Sequence, residues 1–228
     1  MSEVSSASPW IPMLILLPLT AGILSFLFRG RGCRTLLAAA LTGIWWSLIG
    51  LLADLNDADL LRYPIGGWQA PLGIDLRADG LSFMMLAMTA TVGSFISLYA
   101  LGYFADDHSA GTRFWPLWWF LWGALNAVFL SADLFNLYVT LELLSLSAVG
   151  LVTLTGDRES LAAGLRYLLA ALAGSMAYLM GVALLYGAYG ILSLEGLAGL
   201  MRPEPANTLA ASLMTVGLLL KTPLCPLH

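Results

Sequence analysis

Long apolar runs, broken by short polar clusters, dominate the chain from residue 10 to its end. A helix rising about 1.5 Å per residue needs about 20 apolar residues to cross about 30 Å of hydrocarbon. Seven stretches fit, at roughly 10–28, 35–53, 80–102, 114–130, 133–154, 163–190 and 208–227. The pattern predicts an all-α fold: a polytopic transmembrane helix bundle of about seven spans, forming a single domain over 1–228. Only Ser131, Ala132 and Asp133 separate the fourth run from the fifth, which predicts a tight helical hairpin. The longest polar stretch, roughly 54–79, holds GGW at 66–68, PLG at 71–73, and Asp75, Arg77 and Asp79. Its glycines and prolines predict turns, with a short hairpin on the outer face. No internal repeat or low-complexity segment is visible.

Composition agrees with the pattern. The 228 residues are 59% hydrophobic and 11% charged, with a mean hydropathy of +0.84. A soluble domain carries about 25% charged residues, so an ordinary cytosolic enzyme and a disordered regulator are excluded. The formal charge of −4 leaves no basic face for phosphates, and no nucleic-acid partner is expected. Cys33 and Cys225 fit neither a disulfide framework nor a paired metal site. Met1 to Pro9 carry Glu3 and no cation, so the first run does not read as a cleavable signal peptide.

Cationic loops stay in the cytoplasm, and arginines orient the bundle accordingly. With the N-terminus outside, Arg29, Arg31, Arg34, Arg113, Arg158 and Arg166 fall on the inner side; Arg62, Arg77 and Arg202 fall on the outer side. The expected location is the cell (inner) membrane, multi-pass, N-terminus outside.

Most charges belong to loops or helix ends. Asp54, Asp57, Asp59, Asp106, Asp107, Asp157, Glu159, Glu195 and Glu204 read as solvated loop acids. His108 reads as polar loop surface, and His228 is the last residue, so two histidines cannot face each other across a haem. No metal and no cofactor are expected.

Two residues resist that assignment. Glu142 lies nine residues past Asp133 in FNLYVTLELLSLSAVGLV, about 13 Å into the membrane at helical rise. Lys221 lies thirteen residues past Thr208 in SLMTVGLLLKTPLCPLH, about 20 Å deep. A charge near the bilayer middle costs about 2.5–3.5 kcal/mol even on the lenient scale, and such residues line ion routes or pair together. Pro223 and Pro226 follow Lys221 and predict a break in the seventh helix, because neither can donate a helical hydrogen bond. Broken helices at membrane depth are tolerated where they line a wet or protein-filled cavity.

Burial works against a charged lysine, and a nearby carboxylate restores it. At about 6 Å and an effective dielectric of about 20, the attraction is about 2.8 kcal/mol. Moving or protonating Glu142 therefore releases the proton held by Lys221: carrier and modulator of a proton switch. Asn136, Tyr138, Ser145 and Ser147 on the fifth helix, and Ser175 and Tyr178 on the sixth, could carry bridging waters. The plainer readings are a structural ion pair for the charges and helix–helix hydrogen bonding for these polar residues.

Three segments carry a resemblance. SADLFNLYVTLELLSLSAVGLV, LRYLLAALAGSMAYLMGVALLYGAYG and GLLLKTPLCPLH resemble the antiporter-like membrane subunits shared by respiratory complex I, membrane-bound hydrogenases and Mrp-type cation/proton antiporters. GGWQAPLGIDLRADGLSFMML is most similar to the D component of the Mrp type. The resemblance implies that Glu142 is the family's carboxylate on the fifth helix and Lys221 its lysine on the broken seventh. Arg166 with Tyr167 resembles the basic–aromatic pair opening the sixth, and Tyr138, Ser145, Ser175 and His228 are supporting candidates. The implied fold has about fourteen helices in two inverted five-helix repeats. Family members continue past the broken helix with a Lys or His on the eighth helix and a further charged residue on the twelfth. This sequence ends at His228, so the expectation is an N-terminal piece of such a subunit, incomplete relative to the family.

The function expected from this resemblance is proton translocation, or cation/proton antiport with Na⁺ or K⁺, without a catalytic centre of the chain's own. The implied partners are other membrane subunits of an Mrp-type or complex I-like (NADH dehydrogenase-like) assembly, and the lipid bilayer. The alternative is a non-transporting scaffold or assembly subunit, or an inactive truncated product. A membrane-embedded enzyme lacks a nucleophile, metal cluster or cofactor motif to support it.

Overall fold

The computed structural model describes residues 8–27, 31–67, 73–104, 108–202 and 204–222. Helices carry the fold, and among the described residues one two-stranded sheet lies within 54–79, where the sequence predicts a short hairpin. The helices are α1 (Trp10–Ser25), α2 (Arg31–Asp57), α3 (Gly80–Tyr103), α4 (His108–Leu130), α5 (Leu134–Val152), α6 (Arg158–Tyr189), α7 (Leu194–Leu200) and α8 (Pro205–Lys221). The strands are β1 (Leu60–Pro64) and β2 (Asp75–Asp79). A helix occupies each of the seven apolar runs, whereas α7 lies outside all of them. Among the described residues, four helices are long and apolar enough to cross a membrane: Gly32–Asp57 within α2, α3, α5 and α6. The chain groups into two compact units, residues 1–63 with 76–130, and residues 64–75 with 131–228.

The first unit holds α1 to α4. Its buried core includes Ile11, Leu14, Ile44, Leu48, Leu51, Leu86, Trp119, Trp122 and Leu130. Along α4 the rings of Phe114 and Trp118 stack at 5.9 Å, and those of Trp118 and Trp122 meet edge-on at 6.0 Å. Those four-residue steps put large rings on one helix face. Small residues let the neighbours close in: a Cβ at Gly123 would stand 2.8 Å from the Leu19 side chain, and one at Gly93 would stand 2.7 Å from the Trp122 ring. Pro18 lies inside α1 and has no N–H, so the carbonyl of Leu14 loses its helical donor. Asn126 of α4 supplies the replacement, donating from Nδ2 to that oxygen at 2.7 Å.

β1 and β2 pair, and Ile65 N–H donates to the Ile74 carbonyl at 2.9 Å. Gly66 and Gly67 turn the chain after β1 with φ of 69° and 78°, in the left-handed region that glycine enters without steric cost. Asp79 ends β2 and caps α3, accepting from Ser82 N–H at 2.9 Å. That bond from Ser82, opposed by partial burial and aided by the Ser82 hydroxyl and Arg77, holds its carboxyl below the usual range.

The second unit holds α5 to α8. Leu134, Tyr178, Val182, Leu185, Leu197 and Ala210 form its buried core. Asp133 caps α5 through Asn136 N–H at 2.6 Å, Asp157 caps α6 through Ser160 N–H at 2.8 Å, and Ser193 caps α7 through Gly196 N–H at 3.3 Å. The short link 131–133 runs extended beside 192–194: Leu134 N–H reaches the Leu192 carbonyl and Leu194 N–H the Ala132 carbonyl, both at 3.0 Å. Tyr178 tightens the same end, its hydroxyl donating to the Leu134 carbonyl at 3.2 Å.

Candidate functional site

The two singled-out charges, Glu142 and Lys221, meet inside the second unit. Glu142 lies two and a half turns into α5, at the residue spacing that Asp133 sets by capping the helix. Lys221 is the last residue of α8, and Thr222 beyond it is extended (φ −91°, ψ 130°). In the sequence a proline follows Thr222, and a residue before proline is disfavoured in the helical region. Pro223, Cys225, Pro226 and His228 lie outside the described residues, as do Arg29, Asp106 and Asp107 and the side chain of His108.

Close packing of α6 on α8 delivers the lysine. Ala171, Gly174, Ser175, Tyr178 and Gly181 lie on one buried face of α6. A Cβ at Gly174 would stand 2.8 Å from the Gly217 carbonyl oxygen, and one at Gly181 would stand 2.5 Å from the Ala210 carbonyl oxygen. Small residues are the usual means by which membrane helices approach this closely. The same hypothetical atom at Gly174 would lie 3.6 Å from Cγ of Lys221, so the lysine stem runs over this glycine.

The polar contacts converge on one oxygen. Lys221 Nζ donates to Glu142 Oε1 at 2.9 Å and to Ser145 Oγ at 3.1 Å. The Ser175 hydroxyl also hydrogen-bonds Glu142 Oε1, and it lies 2.9 Å from the Ala171 carbonyl, a second acceptor for the same proton. The Ser145 hydroxyl donates to the Leu141 carbonyl at 2.8 Å, which leaves its lone pairs for the ammonium. Side-chain exposure is 10% for Lys221 and 24% for Glu142, so the pair is largely out of solvent yet not sealed. Lys221 also sits at the negative end of the α8 dipole, a second source of support for its charge. The arrangement brings an amine, a carboxylate oxygen and two hydroxyls within hydrogen-bond reach of one another.

The other candidates fall elsewhere. Tyr138 is half-buried, its ring beside Phe135 at 6.1 Å. Ser147 donates to the Leu143 carbonyl at 2.8 Å and Asn136 to Ser131 Oγ at 2.9 Å. Arg166 is exposed on α6, nine residues before Ser175 and outside the set that converges on Glu142. Reasoning from sequence misses Gly174, Gly181 and Gly217. The seven-residue step between the first two, on the face that carries Ser175, is the available signal. Among the described residues no group of three or more His, Cys, Asp or Glu converges on a point.

Two family models match the chain. Residues 64–114 match the N-terminus of complex I chain 5 (NADH-ubiquinone oxidoreductase), and residues 131–228 match the membrane region of the NADH:quinone oxidoreductase/Mrp antiporter family. The chain belongs to the antiporter-like membrane subunits of the Mrp and complex I type. Within that family it is 32% identical over 228 residues to the D component of a probable K⁺/H⁺ antiporter of Rhizobium meliloti, covering 95% of this chain and 42% of the relative. It is 36% identical over 197 residues to the N component of the NADH-quinone oxidoreductase of Desulforudis audaxviator, covering 84% of this chain and 39% of the relative. The chain thus spans about 40% of the length of these antiporter-like relatives.

Solved structures agree. A chain of the Mrp complex from Dietzia sp. superposes with a TM-score of 0.82 at 25% identity, over 97% of this chain and 42% of that one. A chain of an archaeal membrane-bound sulfane sulfur reductase shares the fold, with a TM-score of 0.84 at 24% identity over 96% of this chain and 46% of that one.

Proposed function

We propose that this chain serves in proton translocation or cation/proton exchange as part of an antiporter-like subunit in a multisubunit membrane complex, with Lys221 the proton carrier and Glu142 the charge that controls it. The observation that supports this most is the 2.9 Å contact between the two, made inside an apolar unit and shared with Ser145 and Ser175. Two opposite charges in hydrocarbon support one another's ionisation, so displacing either changes the protonation of the other. The Ser175 hydroxyl can donate either to Glu142 or to the Ala171 carbonyl, so its rotation changes how many hydrogen bonds the carboxylate accepts. In this reading all seven long helices span the cell (inner) membrane from an outer N-terminus, and lipid and neighbouring membrane subunits cover their exposed apolar sides. The exchanged cation is Na⁺ or K⁺, and the chain supplies an ion route rather than a catalytic centre.

The test is Glu142→Gln and Lys221→Ala, made separately in the assembled complex and assayed in membrane vesicles by the collapse of a pH gradient on adding Na⁺ or K⁺. The expected result is at least a tenfold loss of exchange with the subunits still co-purifying. Full exchange in both variants sinks the relay. A complex that no longer assembles favours the other role for this pair, a structural tie in a non-transporting scaffold subunit.

A further inference from the structure

Three polar side chains lie on α4 at four-residue steps: Trp118, Trp122 and Asn126. Trp118 is satisfied, donating from Nε1 to Ser97 Oγ at 2.9 Å. Asn126 is satisfied at one end only, because its Nδ2 donates to the Leu14 carbonyl. That bond fixes the orientation of the amide, since only the NH₂ end can meet a carbonyl oxygen. Asn126 Oδ1 is therefore a true acceptor, and it is buried without a partner among the described residues. Trp122 Nε1–H is a donor in the same condition. The two residues are 1% and 2% exposed, so neither group reaches bulk solvent or lipid headgroups.

Neither side chain is free to search for another partner. The six-membered ring of Trp122 lies against Gly93, where an added Cβ would come within 2.7 Å, and the indole stacks on Trp119 at 5.5 Å. Asn126 is tethered to α1 through the carbonyl that Pro18 leaves undonated. The leftover donor and acceptor belong to residues one helical turn apart, about 6 Å along the axis. One small molecule bonded to both groups bridges atoms up to about 6 Å apart, a reach that suits side chains one turn apart on the same helix. A cation would meet the wrong end of the indole dipole, and an anion would meet the amide oxygen. What suits both groups is a small neutral molecule that accepts once and donates once.

We infer that the first unit holds one buried water molecule, accepting from Trp122 Nε1–H and donating to Asn126 Oδ1. Buried waters occur where otherwise unsatisfied polar groups surround a small space, and immobilising one costs less than leaving a donor and an acceptor bare. The water extends the repair that Asn126 makes at Pro18: α1, α4 and the solvent molecule form one hydrogen-bonded chain from the Leu14 carbonyl to the Trp122 indole.

Solid-state NMR of the full chain in lipid nanodiscs, with ¹⁵N in the tryptophan indoles, tests the inference. Trp122→Phe assigns the Trp122 signal by its loss. The expected result is a water cross-peak at the Trp122 Nε1–H in the unmodified chain. Asn126→Leu should abolish that cross-peak and leave the Trp118 signal, held by Ser97, unmoved. No water cross-peak at Trp122 in the unmodified chain overturns the site, and that measurement decides even if the leucine variant misfolds. A cross-peak that persists in Asn126→Leu with Trp118 unmoved overturns the bridge to Asn126.

Discussion

Gly217 of α8 sits with its Cα against the backbone of Gly174 on α6: an added Cβ would stand 2.5 Å from the Gly174 carbonyl oxygen and 2.7 Å from Tyr178 N. Backbone cannot retreat as a flexible side chain can, so this contact fixes how far α8 stands from α6. Lys221 is one turn further along α8 and Ser175 is the residue after Gly174. The spacing of the ion pair is thus inherited from two residues that carry no charge and no side chain.

Gly217→Ala and Gly174→Ala should each destabilise the second unit by about 1–3 kcal/mol through overpacking. Gly187→Ala is the control, because nothing lies within 4 Å of a Cβ there. It should be neutral, or stabilising by up to about 1 kcal/mol, since alanine suits a helix interior better than glycine. Denaturant titration in mixed micelles reads all three. Equal effects at positions 187 and 217 would show that the close approach is not what matters.

The ion pair predicts a non-additive pattern. Lys221→Ala leaves Glu142 charged in a mostly apolar setting, and Glu142→Gln leaves the ammonium without its anion. Each single change should cost about 3 kcal/mol, the lower end for breaking a buried pair, because Glu142 keeps 24% exposure. The double variant should cost clearly less than the sum. A double-mutant cycle of unfolding free energies measures the coupling, and strict additivity would mean that the two charges do not support each other.

Much of this is legible in the chain because oil and charge are unambiguous. An apolar run near 20 residues has few stable options other than a helix. Glu142 and Lys221 stand out because no other acid or base lies in the interior of their runs, Asp133 standing at the edge. That they share one oxygen with Ser175 is not readable, since residue spacing gives a face of a helix but not the partner across from it. The glycines are silent for the same reason. A seven-residue helix such as α7 is too short to show periodicity, whereas the glycines and prolines within 54–79 signal the hairpin that β1 and β2 form but not the bounds of its strands. Asp157, read as a solvated loop acid, is indeed in solvent, yet its work is to cap α6. The Asn126–Leu14 bond joins positions 112 residues apart, beyond any local pattern.

Pro18 and Asn126 should be coupled in turn. Asn126→Leu strips the Leu14 carbonyl of its donor and should destabilise the first unit by about 1–3 kcal/mol. In a Pro18→Ala background the amide of residue 18 is restored and can donate to Leu14 itself, so the same asparagine change should cost less. Unfolding measurements on the four proteins of the cycle give the difference. Equal cost in both backgrounds would mean that Asn126 is not a substitute for the missing helical bond.

Asp157 should make stability depend on acid. Its carboxylate hydrogen-bonds the Thr155 hydroxyl and accepts from the N–H groups of Ser160 at 2.8 Å and Glu159 at 3.0 Å. Those bonds, the Thr155 hydroxyl foremost, favour the ionised form and hold its pKa down to about 2. An unperturbed aspartate titrates near about 3.9, so the folded state holds the proton less readily than the unfolded one. The stabilisation is therefore complete above about pH 4 and is lost as the pH falls through about 2. Asp157→Asn keeps a capping oxygen but cannot titrate. The difference in unfolding free energy between the native chain and this variant should be flat above about pH 4 and shrink below it. Constancy of that difference down to about pH 2 would place the control of acid stability somewhere other than this cap.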